Sequence, residues 1–244
     1  MQKSMSQKKI AASMLIKLGI AASCWIGINQ HDVSLSGGFM DSIYKAFTMQ
    51  SNIWIAAICL VFLVLDWINK GIRKIPQWLH AIKFMFSTSI LLTWLVFAVL
   101  LTPMMSLNYL LSPSNLFLHN LTPMLGLLDF MNFDQDSKIN RSHLGLGLVM
   151  PFLYMIFFFS AYEITGKLPV PYFFLDYKQL GWLRFGAAGF GVVYWIGLLL
   201  LVLIGIGAAI LKLKTTAERR PLLVSGVVIV AMVSSSIIFS LMSL

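Results

Sequence analysis

Asp41-Ser-Ile-Tyr-Lys-Ala-Phe-Thr-Met-Gln-Ser-Asn-Ile-Trp-Ile55 opens an apolar run that continues to Ile68. A run of this length crosses the ~30 Å hydrocarbon core of a bilayer as one helix, for which about 20 residues suffice. Yet Thr48, Gln50, Ser51 and Asn52 stand together near one end of it. Polar side chains are costly in lipid, so a cluster inside a span points to polar partners or to function. Working outward, six more runs have spanning length: 10–28, 79–101, 113–131, 144–164, 185–211 and 222–244. With 42–68 they predict an all-α, polytopic bundle of about seven spans, organised as one integral membrane domain over residues 1–244.

Composition agrees with this. The chain is 59% hydrophobic and 11% charged, with mean hydropathy +0.84, whereas a soluble domain carries about 25% charged residues. The net charge of +9 does not signal nucleic-acid binding, because the 18 Lys and Arg are dispersed at the ends of apolar runs. Cys24 and Cys59 lie inside apolar runs and read as reduced packing residues. Lys3, Lys8 and Lys9 precede the first run as in a signal sequence, but no convincing cleavage site follows, which predicts an uncleaved first helix.

Edges are marked by turn chemistry. Ser112-Pro113 reads as a cap with a first-turn proline, and Thr102-Pro103 closes the third run. The fourth run contains Pro123, which leaves re-entrance open as an alternative to full crossing. Gly205-xxx-Ala209 and Ser236-xxx-Ser240 read as helix-packing faces. With the N-terminus inside, the inner segments hold thirteen Lys and Arg against four outside. The positive-inside rule thus predicts N-terminus in and C-terminus out, in a cell membrane. Lys17, in the inner half of the first run, is expected to snorkel to the headgroups.

This topology brings two reactive side chains to one level. Thr48 lies six residues past Ser42, ~9 Å along the helix axis, and His119 seven past Ser112, ~10 Å, both from the outer side. A hydroxyl and an imidazole at one depth are the minimum parts of a nucleophile and its base. Asn52, one turn below Thr48 on the same face, would donate to an oxyanion or bond two helices together. Ser51, the competing nucleophile, is rotated off that face. Asp66 and Asp129 lie toward the inner ends of their runs and are expected to pair with Lys or Arg there or to face water.

Phe47-Thr48-xxx-Asn52, His119-xxx-Pro123 with Asp129 beyond it, and the loop Pro169-Val-Pro-Tyr-Phe-Phe-Leu-Asp-Tyr-Lys-Gln-Leu180 together resemble the androgen-induced membrane protein family and its bacterial relatives. The similarity runs from about Ala46 to Trp195, with a family-like core of about 42–211. The 222–244 run is extra to that family's six-helix pattern. Vertebrate members are intramembrane threonine hydrolases of fatty acid esters of hydroxy fatty acids. The resemblance therefore implies Thr48 as nucleophile, His119 as base and a lipid or fatty-acyl ester as substrate.

A carboxylate often orients such a histidine, and Asp176, on the outer side, is the candidate. The aromatic loop 167–184 would lie at headgroup level, as a lid over an acyl chain or as an anchoring belt. His31, His80, His119 and His143 lack the paired spacing of a zinc site, so neither metal nor cofactor is expected. Three functions fit: a lipid-ester hydrolase, a lipid or glycan acyltransferase using the same pair, and a non-enzymatic lipid-binding or transport protein. The absence of a two-fold repeat with matching broken helices argues against transport.

Overall fold

The computed structural model describes residues 7–30, 45–68, 75–134, 136–170, 172–186 and 189–242. Ser42, His31, Pro171 and Lys3 lie outside them. The fold is an all-helical bundle. Its principal helices are α1 (Gln7–Asn29), α2 (Phe47–Ile68), α3 (Gln77–Val96), α4 (Thr122–Phe133), α5 (Val149–Thr165), α6 (Val192–Ala217) and α7 (Pro221–Met242). Six segments among the described residues are long and apolar enough to cross a membrane: Gln7–Asn29, Phe47–Ile68, Gln77–Met104, Arg141–Thr165, Val192–Ala217 and Pro221–Leu241. The protein is accordingly a multi-pass membrane protein in character. Helix α3 is central, packed by α2, α4 and α6, while α1 lies along α2 and α4. Helix α7 is apolar and largely exposed.

The run 113–131 is helical but interrupted. Pro113–Asn115 form one α turn, Leu116–Leu121 a π-helical stretch, and Thr122 then begins α4. The cause is Pro123, which has no N–H to give to the carbonyl four residues back. The Thr122 N–H bonds Phe117 O, five residues back, and the helix widens around His119. Helix α3 ends in the same way before Pro103: Phe97–Leu101 are π-helical and the Thr102 N–H bonds Phe97 O.

Three expected boundaries shift. Helix α2 begins at Phe47, later than the 42–68 run suggests, so Thr48 lies in its first turn. Phe185–Gly186 and Gly189–Phe190 pair as a short antiparallel ladder rather than starting a span, and α6 begins at Val192. Gly189 adopts φ +108, and Gly191 lets the chain pass so close that a Cβ there would meet Trp182 O at 2.6 Å. The 144–164 run begins with a 3-10 stretch, Arg141–Leu148, before α5. A Cβ at Gly205 would face open space, so the close helix approach expected there falls instead at Gly207, against Phe84 and Leu144.

One end of the bundle holds a buried ionic chain. Asp129 accepts from Lys17 at 2.9 Å and Lys83 at 2.5 Å, and Lys83 also pairs with Asp134. His80 Nδ1 lies 3.0 Å from Asp134, and Asp66 stands 3.7 Å from Lys17. All six side chains are buried. Asp66 and Asp129 thus pair with lysines. Lys17, however, does not snorkel: it is fully buried and bonds Asp129 and Ser13. Two carboxylates within reach of one ammonium offset the loss of headgroup water, which a single apolar helix could not do.

Candidate functional site

Thr48 and His119 meet. Thr48 Oγ1 lies 3.3 Å from His119 Nε2, at the long edge of the roughly 2.6–3.2 Å expected of a nucleophile and its base. Thr48 sits in the first turn of α2 and is half-buried, and His119 is buried in the π stretch. With Nε2 unprotonated, the hydroxyl donates to it.

Several contacts hold that geometry. The His119 ring stacks on Phe97, with centroids 3.7 Å apart and planes 18° from parallel, so the two π-helical stretches face each other through these rings. The His119 segment is tied to α1 by Ser114 Oγ donating to Gly27 O at 2.9 Å and by a 2.6 Å contact between Ser23 and Thr122 hydroxyls. Asn52 Nδ2 donates to Thr48 O at 2.8 Å and to Leu118 O at 3.1 Å. Both amide hydrogens are therefore engaged, and Asn52 joins α2 to the His119 segment instead of offering a donor to an oxyanion. Ser51 turns away, bonding Thr93 Oγ1 at 2.7 Å.

Asp176 is taken up by other groups. It accepts from the Tyr162 hydroxyl at 2.8 Å and caps the short helix Tyr177–Leu180 through the N–H groups of Lys178 and Gln179. Its role is to fix the aromatic loop. That loop turns inward: Tyr172, Phe174 and Leu175 are buried, while Trp182 and Phe185 remain exposed. Tyr172 stacks on Phe158 and Phe174, and its hydroxyl faces the Thr48 side chain and the backbone of Phe47 and Thr48. Burial raises the Tyr172 phenol above its ordinary value, so it stays protonated and able to donate near Thr48.

Two cavities flank the pair. The first, about 70 Å³, is almost wholly apolar and is lined by Thr48, Phe97, Leu101, Tyr154 and the loop residues Tyr172 and Phe174. The second, about 430 Å³, lies on the His119 side, between the two π stretches and α7. Phe97 belongs to both walls. Among the described residues, no group of three or more His, Cys, Asp or Glu could hold a metal ion.

No family model, curated protein or solved structure matches the chain.

Neither the Phe97 stack nor the inward position of Tyr172 follows from hydropathy along the chain. A signal for Phe97 was present. Leu-Thr-Pro-Met occurs twice, at 101–104 and 121–124, and each copy follows one of the π stretches that carry Phe97 and His119. A helix that meets proline after threonine loses one backbone bond and widens, which re-aims the side chains of the preceding turn.

Proposed function

We propose that this chain is an intramembrane lipid-ester hydrolase that works by acyl transfer through Thr48. One observation carries the proposal: a threonine hydroxyl at 3.3 Å from an imidazole nitrogen, between two largely apolar cavities inside a helical bundle. The resemblance of Thr48, His119 and the 169–180 loop to the androgen-induced membrane protein family supports the same chemistry. In this reading the interrupted segment Pro113–Phe133 is a seventh crossing. The N-terminus is inside, the C-terminus outside, and the site opens toward the outer leaflet of the cell membrane.

His119 takes the Thr48 proton as Oγ1 attacks the ester carbonyl. The Tyr172 hydroxyl donates to the oxygen on which negative charge develops, the role Asn52 has no free hydrogen to fill. Collapse of the intermediate expels the alcohol, which receives the proton from His119 and leaves an acyl-threonine. His119 then activates water, and the acid is released. The apolar wall around Thr48 receives the acyl chain.

Purified protein in detergent is the test, with a long-chain branched ester as substrate and a fluorophosphonate probe as reporter of the nucleophile. Wild type is expected to turn over the ester and take the label. Thr48→Ala is expected to lose both by on the order of 10²-fold or more while eluting as a folded monodisperse species. Full turnover by Thr48→Ala refutes the nucleophile. An unreactive wild type that co-purifies with lipid favours a lipid-binding protein.

A further inference from the structure

The smaller cavity, beside Thr48, is a slot between helices. Its floor is α3 at Leu92 and Val96, and its sides are α5 at Met155 and α6 at Leu199 and Leu203. Both side helices pack on α3, yet among the described residues their own backbones scarcely approach each other. The slot is open at that gap. Leu92, Phe97 and Leu203 of its wall are buried, whereas Met155, Leu199 and Leu200 are half-buried and their chain neighbours Ile156, Leu198 and Leu201 are exposed. Helix α6 has 26 residues, ~39 Å, and so overhangs a ~30 Å core by only a few ångström at each end. Leu199 stands ~10 Å below the start of that helix. The opening therefore faces hydrocarbon.

The wall is poor in polar groups. Among the described residues no Asp, Glu, Lys or Arg lines it. Thr93 bonds Ser51 at 2.7 Å and the Tyr154 hydroxyl donates to Lys45 O at 2.9 Å, which leaves Thr48 and Tyr172 as the remaining polar side chains. Volume sets a further limit. A cavity of roughly 150 Å³ takes up benzene, about 25 Å³ per carbon, so the 70 Å³ enclosed here holds about three carbons.

We propose that the acyl chain of the ester enters from the bilayer between α5 and α6, with about three carbons next to the carbonyl enclosed and the remainder left in lipid. The inference rests on the Thr48 reading and gives it a substrate class. The slot meets substituents near the carbonyl and never the far end of the chain. It selects against branching at the first carbons of the acyl side and is indifferent to length beyond them; a branch on the alcohol side lies outside it. Leu203 in the buried wall and Leu199 at the opening determine this specificity.

The test is turnover of p-nitrophenyl esters by purified protein in detergent. Wild type should take dodecanoyl and hexadecanoyl esters within about twofold of each other and disfavour the 2-methylhexadecanoyl ester on the order of tenfold, the effect of one extra carbon in a tight apolar pocket. Leu203→Ala should recover most of that loss, and Leu199→Trp, which closes the opening, should lower the hexadecanoyl-to-butanoyl rate ratio on the order of tenfold. Thr48→Cys reads the same passage without turnover. Its thiol forms a mixed disulfide with butyl or hexadecyl methanethiosulfonate as methanesulfinate leaves, followed by peptide mass spectrometry. Adding Leu199→Trp should slow the hexadecyl reagent relative to the butyl one on the order of tenfold. Equal effects of Leu199→Trp on both lengths overturn the lateral route, and ester turnover by wild type then leaves the hydrolase standing. Equal turnover of the straight and 2-methyl esters overturns the enclosed segment. The expected disulfide pattern in a protein that cleaves no ester keeps the route and removes the hydrolase.

Discussion

Asp129→Ala isolates the buried ionic chain. Its carboxylate is fully buried and contacts two equally buried ammonium groups, Lys17 at 2.9 Å and Lys83 at 2.5 Å. Removing one partner of a buried pair typically costs about 3–5 kcal/mol, because the remaining charge is stranded. Here two cations lose a partner, but each keeps another: Asp66 at 3.7 Å for Lys17, and Asp134 for Lys83. The loss should therefore stay within that range, about 3–5 kcal/mol, instead of doubling it. Lys17→Met combined with Asp129→Leu removes one charge of each sign and fills the space with apolar atoms, while Asp66 gives up the longer 3.7 Å contact with Lys17 and keeps the Ser13 hydroxyl at 3.4 Å. Such replacements are often neutral or stabilising, so the double variant should lose less than half as much as Asp129→Ala. The assay is equilibrium unfolding in mixed micelles of increasing sodium dodecyl sulfate fraction, followed by the fluorescence of the seven tryptophans. An Asp129→Ala protein within about 0.5 kcal/mol of wild type, the usual effect of an unimportant surface change, would refute the reasoning. A double variant as unstable as the single one would refute the claim that charge stranding, and not lost packing, sets the cost.

His119→Ala should lower ester turnover on the order of 10²-fold or more, since it removes the imidazole that lies 3.3 Å from the Thr48 hydroxyl. Turnover within about twofold of wild type, with the protein still folded, removes His119 as base. Tyr172→Phe keeps the ring that stacks on Phe158 and Phe174 but deletes the hydroxyl facing Thr48. It should lower kcat on the order of 10²-fold with KM nearly unchanged, as expected for a donor that acts on developing charge. A change below twofold in steady-state kinetics would leave Tyr172 a packing residue.

The helical, multi-pass character was legible without coordinates, because a bilayer core demands about twenty apolar residues per crossing and satisfies backbone groups only within helices. The depth count from Ser42 was not the reason Thr48 and His119 meet: α2 begins at Phe47, which puts Thr48 in its first turn, and His119 sits in a π stretch with a different rise. Which way the side chains point depends on helix rotation and neighbours. That decision belonged to the tertiary structure: Pro123 widens the helix around His119, Phe97 stacks on the ring, and Asn52 takes up both of its hydrogens joining Thr48 O to Leu118 O. Lys17 illustrates the same division. Alone on an apolar helix it would extend to the headgroups, and only the approach of Asp129 and Asp66 from α4 and α2 makes burial the lower free energy. Asp176 likewise reads as a histidine's partner until the loop fold places it under Tyr162. Length and hydropathy along the chain determine what must lie in lipid; distances between helices determine which polar groups satisfy one another.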